Sequence, residues 1–181
     1  MAEGHDPRPA AGEREIVIAR TFDAPRTLIF RVWTEPEHLR RWFGPLGSTL
    51  TVCTIDLRPG GIWHYCLRDS SGAETWGRAV YREIIPPERL VFADSFSDAA
   101  GHLVEPTRYG MSPGYPGEVL VTVTFDERDG KTLLTLRLAI ETAPGAEREA
   151  FRQGWNESLD RLAEALPSTR DVGGDGRDEG I

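Results

Sequence analysis

Hydrophobic positions along the chain change period several times, and each change marks an element. EIVIARTF (15–22) reads as a strand. Asp23-Ala24-Pro25 then opens a helix over RTLIFRVW (26–33), with Leu28, Ile29, Val32 and Trp33 at helical spacing. A second short helix begins at Pro36, runs through HLRRWF and must stop at Gly44-Pro45. Strands follow at 49–57 and 62–68, flanking the turn Arg58-Pro59-Gly60-Gly61. Two more, 74–84 and 89–96, are joined by Ile85-Pro86-Pro87-Glu88, and a last pair, 118–127 and 131–140, by a turn at Asp129-Gly130. The final element is one helix from about Gly145 to Leu166. Its apolar residues Phe151, Trp155, Leu159, Leu162 and Leu166 form a continuous stripe before Pro167 ends it.

The order is therefore β-α-α-β6-α. Six consecutive strands with tight turns make an antiparallel meander, so the chain is an α+β protein whose curved sheet must wrap the last helix to cover its stripe. Some strand faces are legible. Val119, Val121, Val123 and Phe125 share one face, Leu134, Leu136, Leu138 and Ile140 another, and Leu90, Phe92 and Phe96 match them. In the first hairpin both faces are mixed, which leaves the side of His64 open. If its turn pairs Leu57 with Ile62, Cys53 falls opposite Cys66, and one bulge would shift that register. Residues 1–13 and 168–181 are rich in Gly, Pro, Ala and Asp and read as disordered tails flanking a single domain at 14–167.

Four motifs occur in a set order: Trp42-Phe43-Gly44-Pro45, Asp56-Leu57-Arg58-Pro59-Gly60-Gly61-Ile62-Trp63, Glu83-Ile84-Ile85-Pro86-Pro87-Glu88-Arg89-Leu90, and Gly154-Trp155-Asn156-Glu157-Ser158-Leu159-Asp160-Arg161-Leu162 on the last helix. Together they resemble the SRPBCC superfamily, with its START-like helix-grip fold, and within it the branch named after activators of the heat-shock-protein-90 ATPase. The resemblance covers roughly residues 14–167. It implies a helix-grip domain with space beneath the helix. Similar domains bind lipids, polyketides or hormones, act as cyclases, sequester toxic metabolites or assist a chaperone, so the fold alone does not choose a function. A chaperone partner is not expected, because 181 residues leave no room for the further N-terminal domain the co-chaperones carry. Similar domains often pair, which makes a homodimer one expectation.

Composition narrows the classes. A net charge of −8 argues against nucleic acid, whose phosphates need a basic field. No run approaches a membrane span and the N-terminus has no apolar core, so a cytoplasmic location is expected. Lys131 is the only lysine and sits in a turn, which sets Schiff-base chemistry aside. Two cysteines and four scattered histidines show no metal-ligand spacing, and no cofactor is expected.

Five tryptophans, Trp33, Trp42, Trp63, Trp76 and Trp155, are a generous supply. With Phe43, Tyr65, Phe92 and Leu159 they are the candidate lining of a pocket for a flat or greasy ligand, set against the plainer reading as core filler. The expected function is binding of a small hydrophobic or aromatic molecule between sheet and helix, in stress response, sequestration or secondary metabolism. Two alternatives stand beside it. A cyclase or hydrolase acting on a polyketide-like substrate would need an inward-facing acid or base, with His64, Asp94 or Glu118 the candidates. A chaperone-associated interaction module would need an exposed apolar patch and a solid interior. No catalytic residue is assigned. Glu74 and Glu83 are further strand carboxylates, Asp56 and Arg58 are expected to satisfy the turn locally, and Ser97–Gly117 is a long loop in which Tyr109, Met111 and Tyr115 could cover a pocket mouth.

Overall fold

The computed structural model describes residues 15–140 and 143–166. The expected tails lie outside the described residues. The elements are β1 (Glu15–Phe22), α1 (Arg26–Thr34), α2 (Pro36–Trp42), β2 (Thr49–Ile55), β3 (Ile62–Arg68), β4 (Glu74–Ile85), β5 (Arg89–Phe96), β6 (Val119–Arg128), β7 (Lys131–Ala139) and α3 (Gly145–Ala165). All seven strands form one antiparallel sheet in the order β1-β7-β6-β5-β4-β3-β2. The meander thus runs from β2 to β7, and β1 joins it by pairing with β7.

Period-two alternation gives the sheet a buried inner face. One row across it is Ile16, Leu138, Val121, Phe92 and Tyr81, cross-strand partners in turn and all buried. Helix α3 covers this face with Trp155, Leu159 and Leu162, all buried. Burying each such side chain contributes about 1.5–3 kcal/mol, so an isolated α3 would leave its stripe uncompensated in water. Its closest backbone neighbours are α2 and β1. Arg20 on β1 pairs with Asp160 and donates to Asn156 at 3.1 Å, fixing one side of the helix. On the other side Arg161 donates to the carbonyls of Gly44, Pro45 and Ser48 at 2.8–3.3 Å, and Glu157 accepts from the Leu46 N–H at 2.9 Å.

The first hairpin differs from expectation in register. The Asp56 N–H donates to the Ile62 carbonyl at 2.9 Å, so the loop takes five residues, Leu57–Gly61, rather than four. Gly61 fits there because a Cβ would lie 2.0 Å from the Asp56 carbonyl oxygen. Cys53 consequently pairs with Tyr65, and Cys66 with Val52 and Trp76. The two thiols lie on opposite faces of the sheet, both buried and unbridged. The same register settles the side of His64. It is flanked by Thr54 and Arg78 on the outer face, while Trp63 and Tyr65 point inward.

Candidate functional site

A cavity of about 440 Å³ lies between α3 and the middle of the sheet. That is within the range of roughly 300–1,000 Å³ usual for small-molecule sites. The sheet supplies Tyr65 and Leu67 from β3, Thr75 from β4, Asp94 and Phe96 from β5, and Val119 from β6. Helix α3 supplies Ala150, Phe151, Gly154, Trp155 and Ser158 along one side, and Phe43-Gly44-Pro45 after α2 closes one end. The long loop supplies Met111, Tyr115 and Pro116. It is tied down: the Tyr109 hydroxyl donates to the Ser97 carbonyl at 2.7 Å, and Ser112 donates to Glu147 of α3 through its backbone N–H at 2.6 Å and its hydroxyl at 2.7 Å.

Of the nine residues the sequence singles out, four reach the cavity. Phe43, Tyr65 and Trp155 form its aromatic wall, with Phe43 in edge contact with both others at centroid distances of 5.2 and 5.8 Å. Trp76 touches the rim, but its indole lies on the outer face, stacked on His64 at 5.1 Å and donating to Glu74. Trp33, Trp42, Trp63, Phe92 and Leu159 do not line the cavity. They are packed behind its wall, each no more than 2% exposed. Trp33 stacks on the back of Trp155 at 5.8 Å with the rings nearly parallel. Trp42 donates its indole N–H to the Val32 carbonyl at 3.1 Å, locking α1 to α2. These side chains fill the space behind this cavity, and it is the inner face of β3–β5 that borders the void.

The polar centre of the cavity is Asp94. It is set deep in the inner face, between Ala79 and Val119 on the neighbouring strands, and the surface it keeps is cavity wall. The Tyr65 hydroxyl donates to both carboxyl oxygens, at 3.0 and 3.1 Å. Burial pushes the Asp94 carboxyl up to about 7, with the Tyr65 and Ser95 hydrogen bonds opposing the shift. Burial, reinforced by the Asp94 charge, likewise pushes the Tyr65 and Tyr115 phenols upward. Gly77 is what lets this pair form. A Cβ there would sit 2.2 Å from the Tyr65 ring and 2.3 Å from its hydroxyl oxygen. A glycine in the middle of a strand signals close approach of another group, and that was the available sequence clue. Ser158 and Glu147, both on the wall, carried no comparable signal.

The other candidate acids and bases face away. His64 makes a 3.1 Å contact with the Asp98 carbonyl on the outer face, and Glu118 pairs with Arg82 at the surface. Glu74 pairs with Arg68, Glu83 with Arg89, and Asp56 with Arg58. Among the described residues no cluster of three or more His, Cys, Asp or Glu side chains is placed to hold a metal, and no helix is long and apolar enough to cross a membrane.

Comparison with known proteins agrees with this architecture. A crystal structure of a Chromobacterium violaceum protein is 26% identical, with a TM-score of 0.67 over 83% of this chain and 95% of the other. One from Nitrosomonas europaea is 23% identical, with a TM-score of 0.69 over 87% and 96%. A crystal structure of the AHSA1 protein of Silicibacter pomeroyi is 20% identical, with a TM-score of 0.62 over 83% and 95%. No curated protein matches the sequence. Residues 23–167 match the family described as activator of Hsp90 ATPase homolog 1-like protein. With four-fifths of its length inside that match, a β-α-α-β6-α order and a sheet closed over its last helix, the chain belongs to this family of helix-grip domains.

Proposed function

We propose that the chain binds a small, largely hydrophobic molecule with aromatic character in the cavity beneath α3. The observation that carries this reading is the cavity itself: a half-open space of about 440 Å³ walled by Phe43, Phe96, Tyr115, Phe151 and Trp155, with the Asp94–Tyr65 carboxyl–phenol pair set into it. Apolar walls stabilise a ligand by about 25 cal/mol per Å² removed from water, and the few polar groups orient it. Sequestration or a step in secondary metabolism fits such a site.

The test is a thermal-shift and native-mass-spectrometry screen against lipids, polyketides and aromatic compounds, run beside Gly154→Leu. Gly154 faces the cavity from α3, and a Cβ there meets only Pro45, at 3.8 Å. Replacing a mid-helix glycine stabilises by up to about 1 kcal/mol, so this variant should fold while occupying the space. Compounds should bind the wild type and lose affinity for Gly154→Leu. No binding at all, or equal binding to both, would overturn the proposal.

One observation favours a second reading as an acid–base enzyme. Asp94 faces inward with a carboxyl at about 7, suited to passing a proton near neutral pH. Turnover of a polyketide-like substrate that stops in Asp94→Asn would support it, and unchanged turnover would exclude Asp94 from that role. The chaperone-associated reading calls for a solid interior, and the cavity weighs against it.

A further inference from the structure

The cavity is one-sided in charge. Two carboxyls, Asp94 and Glu147, belong to its wall, and no lysine, arginine or histidine does. Glu147 is already engaged, since Ser112 donates to both of its oxygens. Asp94 also accepts, from the Tyr65 hydroxyl on both oxygens and from the Ser95 backbone, but among the described residues no cation pairs with it. A carboxyl keeps about four acceptor positions, so capacity remains towards the cavity. The rings of Tyr65, Tyr115 and Trp155 line the same cavity, and aromatic rings are compatible with a bound cation.

We propose that the ligand is a hydrophobic or aromatic amine, bound as its ammonium with an N–H donating to Asp94 and its apolar body against the aromatic wall. The proposal rests on reading the cavity as a ligand site and names the chemistry of what enters it. A fatty acid or other carboxylate would place a second anion beside Asp94 with no basic side chain to receive it, which the site opposes. A neutral compound would gain the apolar burial and, from a hydroxyl, a hydrogen bond to Asp94 without the opposite charge. An ammonium also supplies the opposite charge that a carboxyl in an apolar setting lacks. The groups around Asp94 are the Tyr65 phenol from β3, which donates to it, Ala79 of β4 and Val119 of β6 beside it, and the Tyr115 phenol of the long loop, with Ser158 and Glu147 of α3 elsewhere on the cavity wall. No group among these is cationic, so the amine would be the first positive charge to enter.

The experiment compares three probes that share a ring: 1-naphthylmethylamine, 1-naphthylmethanol and 1-naphthoate, titrated calorimetrically into the whole protein and into Asp94→Asn. The amine should bind the wild type on the order of tenfold tighter than the alcohol at pH 8, with the naphthoate weakest, and Asp94→Asn should lose that preference. Amine affinity for the wild type should also rise on the order of tenfold from pH 5.5 to 8 while alcohol affinity stays flat, an arm that needs no variant to fold. Alcohol or naphthoate binding as tightly as the amine would overturn the inference and leave the cavity reading standing. Failure of all three probes to bind would overturn it as well, and the compound screen would then decide the broader reading separately.

Discussion

Replacing Asp94 by Asn should change how stability depends on pH, by an amount the structure sets. In the unfolded chain this carboxyl gives up its proton near its ordinary value of 3.8, and in the folded protein near 7. Between those values the folded state holds a proton the unfolded state has lost, so stability falls as pH rises. The contribution is complete below about pH 4 and gone above pH 7. Three pH units at 1.36 kcal/mol each make about 4 kcal/mol, an upper bound because the carboxyl keeps contact with the cavity. Asn cannot ionise, yet its amide oxygen still accepts from Tyr65, so the packing stays comparable. Urea denaturation of both proteins from pH 4.5 to 8.5 measures the difference, in which other titrating groups cancel. The gap between the two curves should move by several kcal/mol in favour of Asp94→Asn as pH rises. Curves that stay parallel within about 0.5 kcal/mol would refute the account of Asp94 as a carboxyl forced into an apolar setting.

Other substitutions probe separate parts of the fold. Gly77→Ala should destabilise by about 1–3 kcal/mol, because its Cβ would meet the Tyr65 ring at 2.2 Å, and urea denaturation would register the loss. Tyr65→Phe combined with it should recover little, since the ring itself is the obstacle. Glu147→Gln weakens two bonds from Ser112 and should cost about 1 kcal/mol, with faster hydrogen exchange confined to residues 110–117. Leu159→Ala, made at a fully buried position under α3, should cost about 2–5 kcal/mol in thermal denaturation.

Much of the fold is legible in the sequence because amphipathic periodicity is strong and the turns carry Gly and Pro. Strands β3 and β5 begin and end where the pattern places them, and the α3 stripe of Trp155, Leu159 and Leu162 does face the sheet. The cavity lining is less legible, since hydrophobicity says that a side chain is buried and not whether a neighbour fills the space beside it. Trp63 and Tyr65 are both inward-facing aromatics of β3, yet Trp63 is enclosed by Phe43 and Phe92 while Tyr65 borders the void. Trp76 and His64 needed the hairpin register, and that turned on one extra loop residue. In the sequence Asp94 is one candidate level with His64 and Glu118, and its place between Phe92 and Phe96 on an apolar face is the feature the structure singles out. What spacing could not supply was its partner, which comes from another strand and depends on a missing Cβ at Gly77.

The separation of the two thiols has a practical consequence. Cys53 looks into the protein and Cys66 towards its outer surface, and burial pushes both above the ordinary thiol range, so neither is a ready nucleophile in the native state. Each can therefore serve as a native chemical clock. A thiol-reactive reagent added in excess would modify Cys53 only as often as the inner layer opens and Cys66 only as often as the first hairpin loosens. The ratio of the two labelling rates would report whether the domain opens as a unit or peels apart from one edge, with no introduced probe.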